Sequence, residues 1–420
     1  MRKWGHDIHD LLYGRPVARA CQELSYCWSS SDDYDLKDAK LYALLRHATN
    51  NCEAYRSMSG FTSIEDFPLT SKRALRDQFD SYRAWGVVSI KSTFSSGSYG
   101  APLKLPMSAE KVARRSAEAI IFNGTAGYCL GMRFATVTSL VHWHKNRLQK
   151  ILRNEKVIRV HTMSEAELAD AFHKIRADGI EFVIGHPSVL AAISRYGQAL
   201  DLRVIGCRGV VCYGESLGKA DRMVISEVFG CSVYERYASN ELGIVMHDYI
   251  GHSSLRVNNC HYKVELLHPE NDEPALPGSI ARIVVTDLYS HVLPLIRFDT
   301  GDLAILSKGS DRSGLISRVA GREIEALYDT SGRVVFPVAV LDAMRNSQMR
   351  LLRQFQILQT YPDTYIARVL PYENFDAEVI ASDLRAVFGA EAKVIVECVP
   401  DIKQLPSGKR AVAVNLVKRT

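Results

Sequence analysis

Between Leu36 and Arg56 the apolar residues Leu41, Leu44, Leu45 and Ala48 fall at helical spacing, which predicts an amphipathic helix. Pro68-Leu-Thr-Ser-Lys72 predicts a loop in which Thr70 or Ser71 caps a helix through Ala74 and Phe79. From about Ser108 the period keeps changing. Short β-branched runs at Phe134–Ser139, Val157–Val160, Phe182–Ile184 and Val204–Val211 alternate with helical stretches such as Glu165–Ala177 and Pro187–Tyr196. Such alternation predicts an α/β sheet with parallel strands. After about Gly243, Val264–Leu267, Ile280–Val285 and Leu293–Phe298 read as strands separated by Pro, Gly and Asn-Asp turns, which predicts a mainly antiparallel β subdomain. Past Gly321 come a helix near Val338–Met344, strands near Phe355–Gln359 and Tyr365–Val369, a helix at Ala377–Phe388 and a strand at Lys393–Glu397. These make a small α+β unit.

The fold class expected is α/β: a large N-terminal domain, residues 1–321, with mixed sheets and a small β subdomain, then a small α+β domain, residues 322–420. A chain of 420 residues exceeds what one core usually serves. Lys plus Arg is 52 against 47 Asp plus Glu, a net +5 that calls for no nucleic-acid partner yet would not repel an anionic ligand. The first ten residues are charged and lack an apolar segment, so no secretory signal is expected there, and no stretch is long and apolar enough to span a membrane. Nine cysteines without a Cys-x-x-Cys pair argue against a disulfide framework. A cytoplasmic protein with no membrane partner is the expectation.

Six segments carry candidate chemistry. Ser95-Ser-Gly-Ser-Tyr-Gly-Ala-Pro102 interleaves small hydroxylated residues with glycines, which lets backbone N–H groups approach an anion. No Gly-Lys-Ser/Thr follows, so it is not a Walker loop. Tyr213-Gly-Glu-Ser216 comes just past an apolar strand, where open α/β sheets bind ligands. Tyr234-Glu-Arg-Tyr-Ala-Ser-Asn-Glu241 ends in an acid able to hold a metal ion beside phosphates. Pro294–Leu303 runs an apolar strand into Thr300-Gly-Asp302, whose carboxylate can accept both hydroxyls of a ribose. Arg318-Val-Ala-Gly-Arg322 lies at the expected boundary. Leu405-Pro-Ser-Gly-Lys-Arg410 offers a loop that can deliver a mobile cation. Each one alone is an ordinary surface turn; their order is not.

In sequence and spacing these segments resemble the core motifs of the adenylate-forming enzyme superfamily, and more narrowly its phenylacetate–CoA ligase-like branch. Leu44-Leu-Arg-His-Ala48 with Tyr55-Arg56, Leu69-Thr-Ser-Lys72, and Ile184-Gly-His-Pro-Ser188 extend the resemblance over nearly the whole chain. The resemblance implies that Ser95, Ser96, Gly97, Ser98 and Gly100 grip the β- and γ-phosphates of ATP. It implies that Gly214, Glu215 and Ser216 line the adenine and acyl pocket, with Arg236, Tyr237 and Asn240 on the nucleotide and Tyr237 stacked on adenine. It further implies that Glu241 holds Mg²⁺, Asp302 the ribose, Arg322 the ribose or phosphate, and that Lys409 is a catalytic lysine on a mobile C-terminal domain. His142, Tyr213 and Ala238 would face the acid. Coenzyme A is the acceptor implied, with a carrier-protein thiol, an amine or a hydroxyl as alternatives, and a homodimer is compatible with the branch.

Several positions depart from the family pattern. Tyr99 stands for a threonine, Ala101 for a lysine or arginine, Asn240 for a threonine, and Ala238 for a frequent glycine beside the acyl pocket. The hinge, usually an acidic pair after Gly-Arg, reads Gly321-Arg-Glu-Ile-Glu325. His247, His252, Cys260 and His261 fall where some members bind a structural metal, but the cysteine expected nearby is Tyr249, so loop and core residues are the default rather than zinc. Two functions follow: an acid–thiol ligase working through an acyl-adenylate, or a nucleotide-binding partner protein that has lost turnover.

Overall fold

The computed structural model describes residues 15–29, 34–94, 103–139, 154–248, 254–307, 315–322, 325–344, 351–372, 374–403 and 410–417. The chain divides into two compact units, one from Lys3–Thr125 with Arg236–Arg318 and the other from Ala126–Glu235 with Val319–Thr420.

The first unit opens with helices α1 (Pro16–Ser29) and α2 (Tyr34–Asn51). A two-residue strand, β1 (Thr70–Ser71), leads directly into α3 (Lys72–Asp77), and the Ser71 hydroxyl caps that helix by accepting from the Ala74 amide at 3.1 Å. Strands β2 (Lys91–Phe94) and β3 (Lys104–Met107) pair antiparallel, and α4 (Ala109–Thr125) follows, carrying Lys111 and Glu118 fully inside.

The second unit begins with four strands: β4 (Phe134–Thr138), β5 (Glu155–Arg159), β6 (Phe182–Gly185) and β7 (Gly209–Tyr213). They run parallel in the order β5-β4-β6-β7. Helix α5 (Glu165–Ala177) connects β5 to β6, α6 (Pro187–Ala199) connects β6 to β7, and α7 (Lys219–Phe229) follows β7; Val137, Phe172, Leu190, Ile193, Val210 and Ile225 share one apolar core. Parallel strands covered by helices bury both faces, which is why these runs read as continuously β-branched. The run from Val204 does not start a strand; Gly206 takes φ +86° and the ladder begins at Gly209. Strand β8 (Val233–Ala238) ends this stretch of chain.

Back in the first unit, β9 (Ile244–Asp248) pairs antiparallel with β10 (Leu255–Val257), and β11 (Tyr262–Leu267), β12 (Ile280–Asp287) and β13 (Phe298–Leu306) form an antiparallel ladder. The strand expected over Leu293–Phe298 does not form. Arg297 adopts φ 45°, its amide donates to the Thr286 hydroxyl at 2.9 Å, and its guanidinium pairs with Glu265 at 3.0 Å. That turn delays the strand to Phe298 and leaves Leu293, Leu295 and Ile296 as buried packing residues.

After β14 (Leu315–Arg322) comes α8 (Pro337–Ala343), then a separate four-stranded sheet. Its strands β15 (Leu352–Tyr361), β16 (Thr364–Pro371), β17 (Lys393–Cys398) and β18 (Ala413–Asn415) stand in the order β17-β16-β15-β18. Helix α9 (Ala377–Phe388) covers it, stacking Phe388 on Tyr365 with ring centroids 4.0 Å apart. No helix among the described residues is long and apolar enough to cross a membrane.

Candidate active site

Strand β13 organises several of the residues expected at the nucleotide. Asp302 sits within that strand rather than beyond its end, because Gly301 turns through φ +70° and the ladder with β12 absorbs a bulge at Arg282–Val284. The Tyr237 hydroxyl, near the end of β8, donates to Asp302 Oδ2 at 2.7 Å. Burial and then the Asp302 charge push the Tyr237 hydroxyl well above its ordinary pKa, so it stays protonated and remains a donor. On the other side β13 pairs in parallel with β1, Thr70 opposite Phe298 and Ser71 opposite Asp299. The same strand therefore carries Asp302 and places Lys72 at the start of α3.

Lys72 meets Glu241. Its Nζ lies 2.9 Å from Glu241 Oε1, with the carboxylate side chain 3% exposed and the lysine 39%. Burial disfavours the Glu241 charge, but the Lys72 ammonium, with hydrogen bonds from the Glu241 backbone amide and the Ser239 hydroxyl, holds the carboxyl below its usual range. An ionised, hard oxygen ligand fits Mg²⁺, which is usually held by one or two carboxylates together with phosphate oxygens and water. Lys72 is the site residue that sequence reasoning passed over: Leu69-Thr-Ser-Lys72 was visible only as a signature, without a role.

Glu241 lies in a tight turn, where Ser239 and Gly243 exchange backbone hydrogen bonds at 3.1 Å. Behind the turn is a sealed polar cluster. Glu118 Oε2 accepts the Ile244 amide at 2.9 Å, while its Oε1 is 2.7 Å from His261 Nδ1 and 2.8 Å from the Tyr262 hydroxyl. The Tyr262 hydroxyl also reaches the Leu242 carbonyl at 3.0 Å, and Lys111 bonds that hydroxyl and pairs with Asp287 at 2.6 Å. Gly243 takes φ +138°, and a Cβ there would lie 2.4 Å from Glu118 Oε2, so only glycine fits.

Two of the residues weighed as zinc ligands are thus accounted for as core: His261 bonds Glu118, and Cys260 packs with Leu24 and Phe122. His247 is fully buried, and His252 lies outside the described residues. No group of three or more His, Cys, Asp or Glu among the described residues is placed to hold a metal.

In the second unit the carboxyl ends of the parallel strands converge on one carboxylate and one arginine. Glu215, two residues past β7, accepts the Ser188 amide at 3.2 Å through Oε2 and the Arg410 amide at 2.9 Å through Oε1. Ser188 lies in the first turn of α6, where negative charge is favoured by the helix dipole. Tyr213 sets its ring edge-on to His186 at 5.3 Å, and the Ser216 hydroxyl points to the Val319 carbonyl at 3.4 Å. The Arg410 guanidinium donates to Ser139 Oγ, just past β4, at 3.1 Å and to the His161 carbonyl, just past β5. Burial lowers the Arg410 pKa while Glu215 opposes the shift. Arg410 thus contacts residues beyond three of the four parallel strands, the edge at which α/β sheets bind ligands.

The remaining expected residues are scattered. Arg236 is buried and donates to Asn123 on α4 at 2.8 Å, Asn240 accepts from Arg115 through its carbonyl at 2.8 Å, and Ala238 stands at a bulge ending β8. Gly214 takes φ +84° after β7. Ser95, Ser96, Gly97, Ser98, Gly100, His142 and Lys409 lie outside the described residues, as does the side chain of Arg322.

The fold is that of the adenylate-forming enzymes. The chain is similar to a 2-hydroxyisobutyryl-CoA ligase solved in its postadenylation state with an acyl-AMP, at TM-score 0.68 and 16% identity, covering 90% of this chain and 88% of that one. The same ligase with 2-HIB-AMP and CoA matches at TM-score 0.54, 18% identity and 91% of each chain. The anthranilate CoA ligase AuaEII with anthranoyl-AMP matches at TM-score 0.57 and 15% identity, over 76% of this chain and 64% of that one. Among curated proteins, Protein CapK of Staphylococcus aureus is 21% identical over 430 residues, 94% of this chain and 92% of its own length. No family model matches.

Proposed function

We propose that this chain uses ATP to activate a small carboxylic acid as an acyl-adenylate and then transfers the acyl group, with coenzyme A as the first acceptor to test. The observation that carries the proposal is the 2.7 Å Tyr237–Asp302 hydrogen bond, an aromatic ring joined to a carboxylate suited to ribose, on a fold whose solved examples hold acyl-adenylates. A substrate carboxylate oxygen attacks the α-phosphorus and pyrophosphate leaves; the acceptor then attacks the acyl carbon and AMP leaves. Negative charge builds on phosphate oxygens in the first step, so the groups needed are cations and oriented N–H donors.

Ser95, Ser96, Gly97, Ser98 and Gly100 would hold the β- and γ-phosphates, Asp302 the ribose, Tyr237 the adenine, and Arg322 the ribose or phosphate. Lys409 would neutralise charge on the α-phosphate. Glu241 would bind Mg²⁺, which when present offsets phosphate charge. Tyr213, Ala238 and His142 would face the acid. The last ~100 residues, the size of an independent unit, would move between the two steps. Arg410, tied to Ser139, His161 and Glu215, is a contact that such a movement has to break.

The test is exchange of labelled pyrophosphate into ATP with a panel of aliphatic and aromatic acids. Label should enter ATP only when an accepted acid is present. Nucleotide binding without exchange for any acid would instead favour a non-catalytic partner protein. Adding coenzyme A should then yield a thioester and AMP; AMP without thioester would direct the search to a carrier thiol, amine or hydroxyl.

A further inference from the structure

We propose that Glu118 is a positioning residue for Glu241, setting the carboxylate's aim through the backbone of Leu242–Ile244. The inference rests on the assignment of Glu241 to MgATP and adds a residue that touches neither nucleotide nor metal. Glu118 comes from the middle of α4, more than a hundred residues before the turn it controls, and is 1% exposed. Its Oε2 takes the Ile244 amide directly, and its Oε1 takes the Tyr262 hydroxyl, which also reaches the Leu242 carbonyl. The two peptide groups that flank Gly243 are therefore referenced to one side chain. Gly243 lies between them, and the absence of its Cβ lets the carboxylate come this close.

The cluster is costly as mere packing. A buried carboxylate, lysine and aspartate could be replaced by apolar residues with little loss or a gain in stability. Here they are spent on a single five-residue turn. Tyr262 has one hydroxyl proton and two acceptors, Glu118 Oε1 and the Leu242 carbonyl, while Lys111 donates to its oxygen and is fixed by Asp287. The His261 ring braces the same Oε1, and Asn258 contributes an amide to the Ile244 carbonyl at 3.1 Å. Glu118, Tyr262 and Asn258 all hold the backbone adjoining Glu241, while Asp287 also accepts the Tyr289 amide at 3.1 Å. Outer partners of metal-binding groups act in this way, and their loss typically weakens metal affinity about 10- to 100-fold.

The test uses Glu118→Gln, in which the amide nitrogen cannot accept a hydrogen bond, on the full chain. MgATP affinity should fall about tenfold or more and the Mg²⁺ requirement for pyrophosphate exchange should rise, while ATP affinity in EDTA stays at the wild-type value. Hydrogen exchange at the Ile244 amide, which donates to Glu118, should quicken. Tyr262→Phe, which keeps Glu118, should shift both readouts in the same direction by a smaller factor and serves if Glu118→Gln does not fold. Folded variants with wild-type Mg²⁺ dependence would overturn the proposal, as would equal loss of ATP affinity with and without Mg²⁺. If the wild type shows no acid-dependent exchange at all, the activity proposal fails, and the Ile244 amide decides separately. Unchanged protection at Ile244 in Glu118→Gln would then overturn the positioning role.

Discussion

Glu241 and Glu215 each follow a strand by two or three residues, yet they are occupied differently. Glu241 pairs with a lysine side chain that is 39% exposed, whereas both oxygens of Glu215 accept backbone amides, from Ser188 and Arg410. A lysine on a flexible stem can swing aside at small cost, leaving the Glu241 carboxylate to another cation. Backbone amides move only with the chain. The comparison separates a carboxylate available for chemistry from one that joins segments, and it gives Glu215 a duty besides the pocket-lining one that the resemblance implies.

Several variants can break that contrast. The largest effects should come from the groups assigned to developing charge: Lys409→Ala or Glu241→Gln should slow acyl-adenylate formation by about 10²-fold or more. For Glu241→Gln the stability should change by less than about 1 kcal/mol, since its partner is a solvated lysine. A folded Glu241→Gln protein with full exchange activity would end the contrast. Asp302→Ala should weaken ATP binding by roughly 1.5–3 kcal/mol in calorimetry.

Glu215→Gln should register mainly as stability, about 1–3 kcal/mol in chemical denaturation, because one of two fixed amides loses its acceptor. Glu23 supplies a third case, held by the side chains of Lys40 and Arg114. Burial opposes its charge, but those two partners bring its pKa from 4.5 to about 2. A depressed carboxyl pKa contributes stability above the unfolded value, and that contribution is lost as pH falls from 4.5 towards about 2. Glu23→Gln should therefore destabilise at neutral pH by about 1–2 kcal/mol after solvent screening, and match wild type near the acid end of that window. The smallest effect should be Tyr237→Phe, about 0.5–1.5 kcal/mol in ATP affinity, from the loss of one hydrogen bond to Asp302.

The parallel strands were legible because both their faces are buried, so Phe134–Thr138 and Phe182–Gly185 carry their burial in consecutive letters. One cap was legible too, Ser71 being one of the two residues expected to cap the start of α3. What escaped was pairing at long range. Lys72 and Glu241 are far apart in the chain, and the turn at Arg297 depends on Glu265 and Thr286, so Leu293–Ile296 reads as strand although it is packing. Glu118 was hidden for a similar reason. A charged residue in an amphipathic helix reads as solvent-facing, and only the fold brings Ile244, His261 and Tyr262 around it.

The central claim is that the acid oxygen becomes bonded to the α-phosphorus. The most direct measurement follows that atom. Acids labelled with heavy oxygen in the carboxyl group would be incubated with the protein, MgATP and coenzyme A, and the released AMP analysed by mass spectrometry. The account predicts AMP carrying one heavy oxygen from each turnover, with the label absent from pyrophosphate. Unlabelled AMP, or ADP and phosphate in its place, would contradict it.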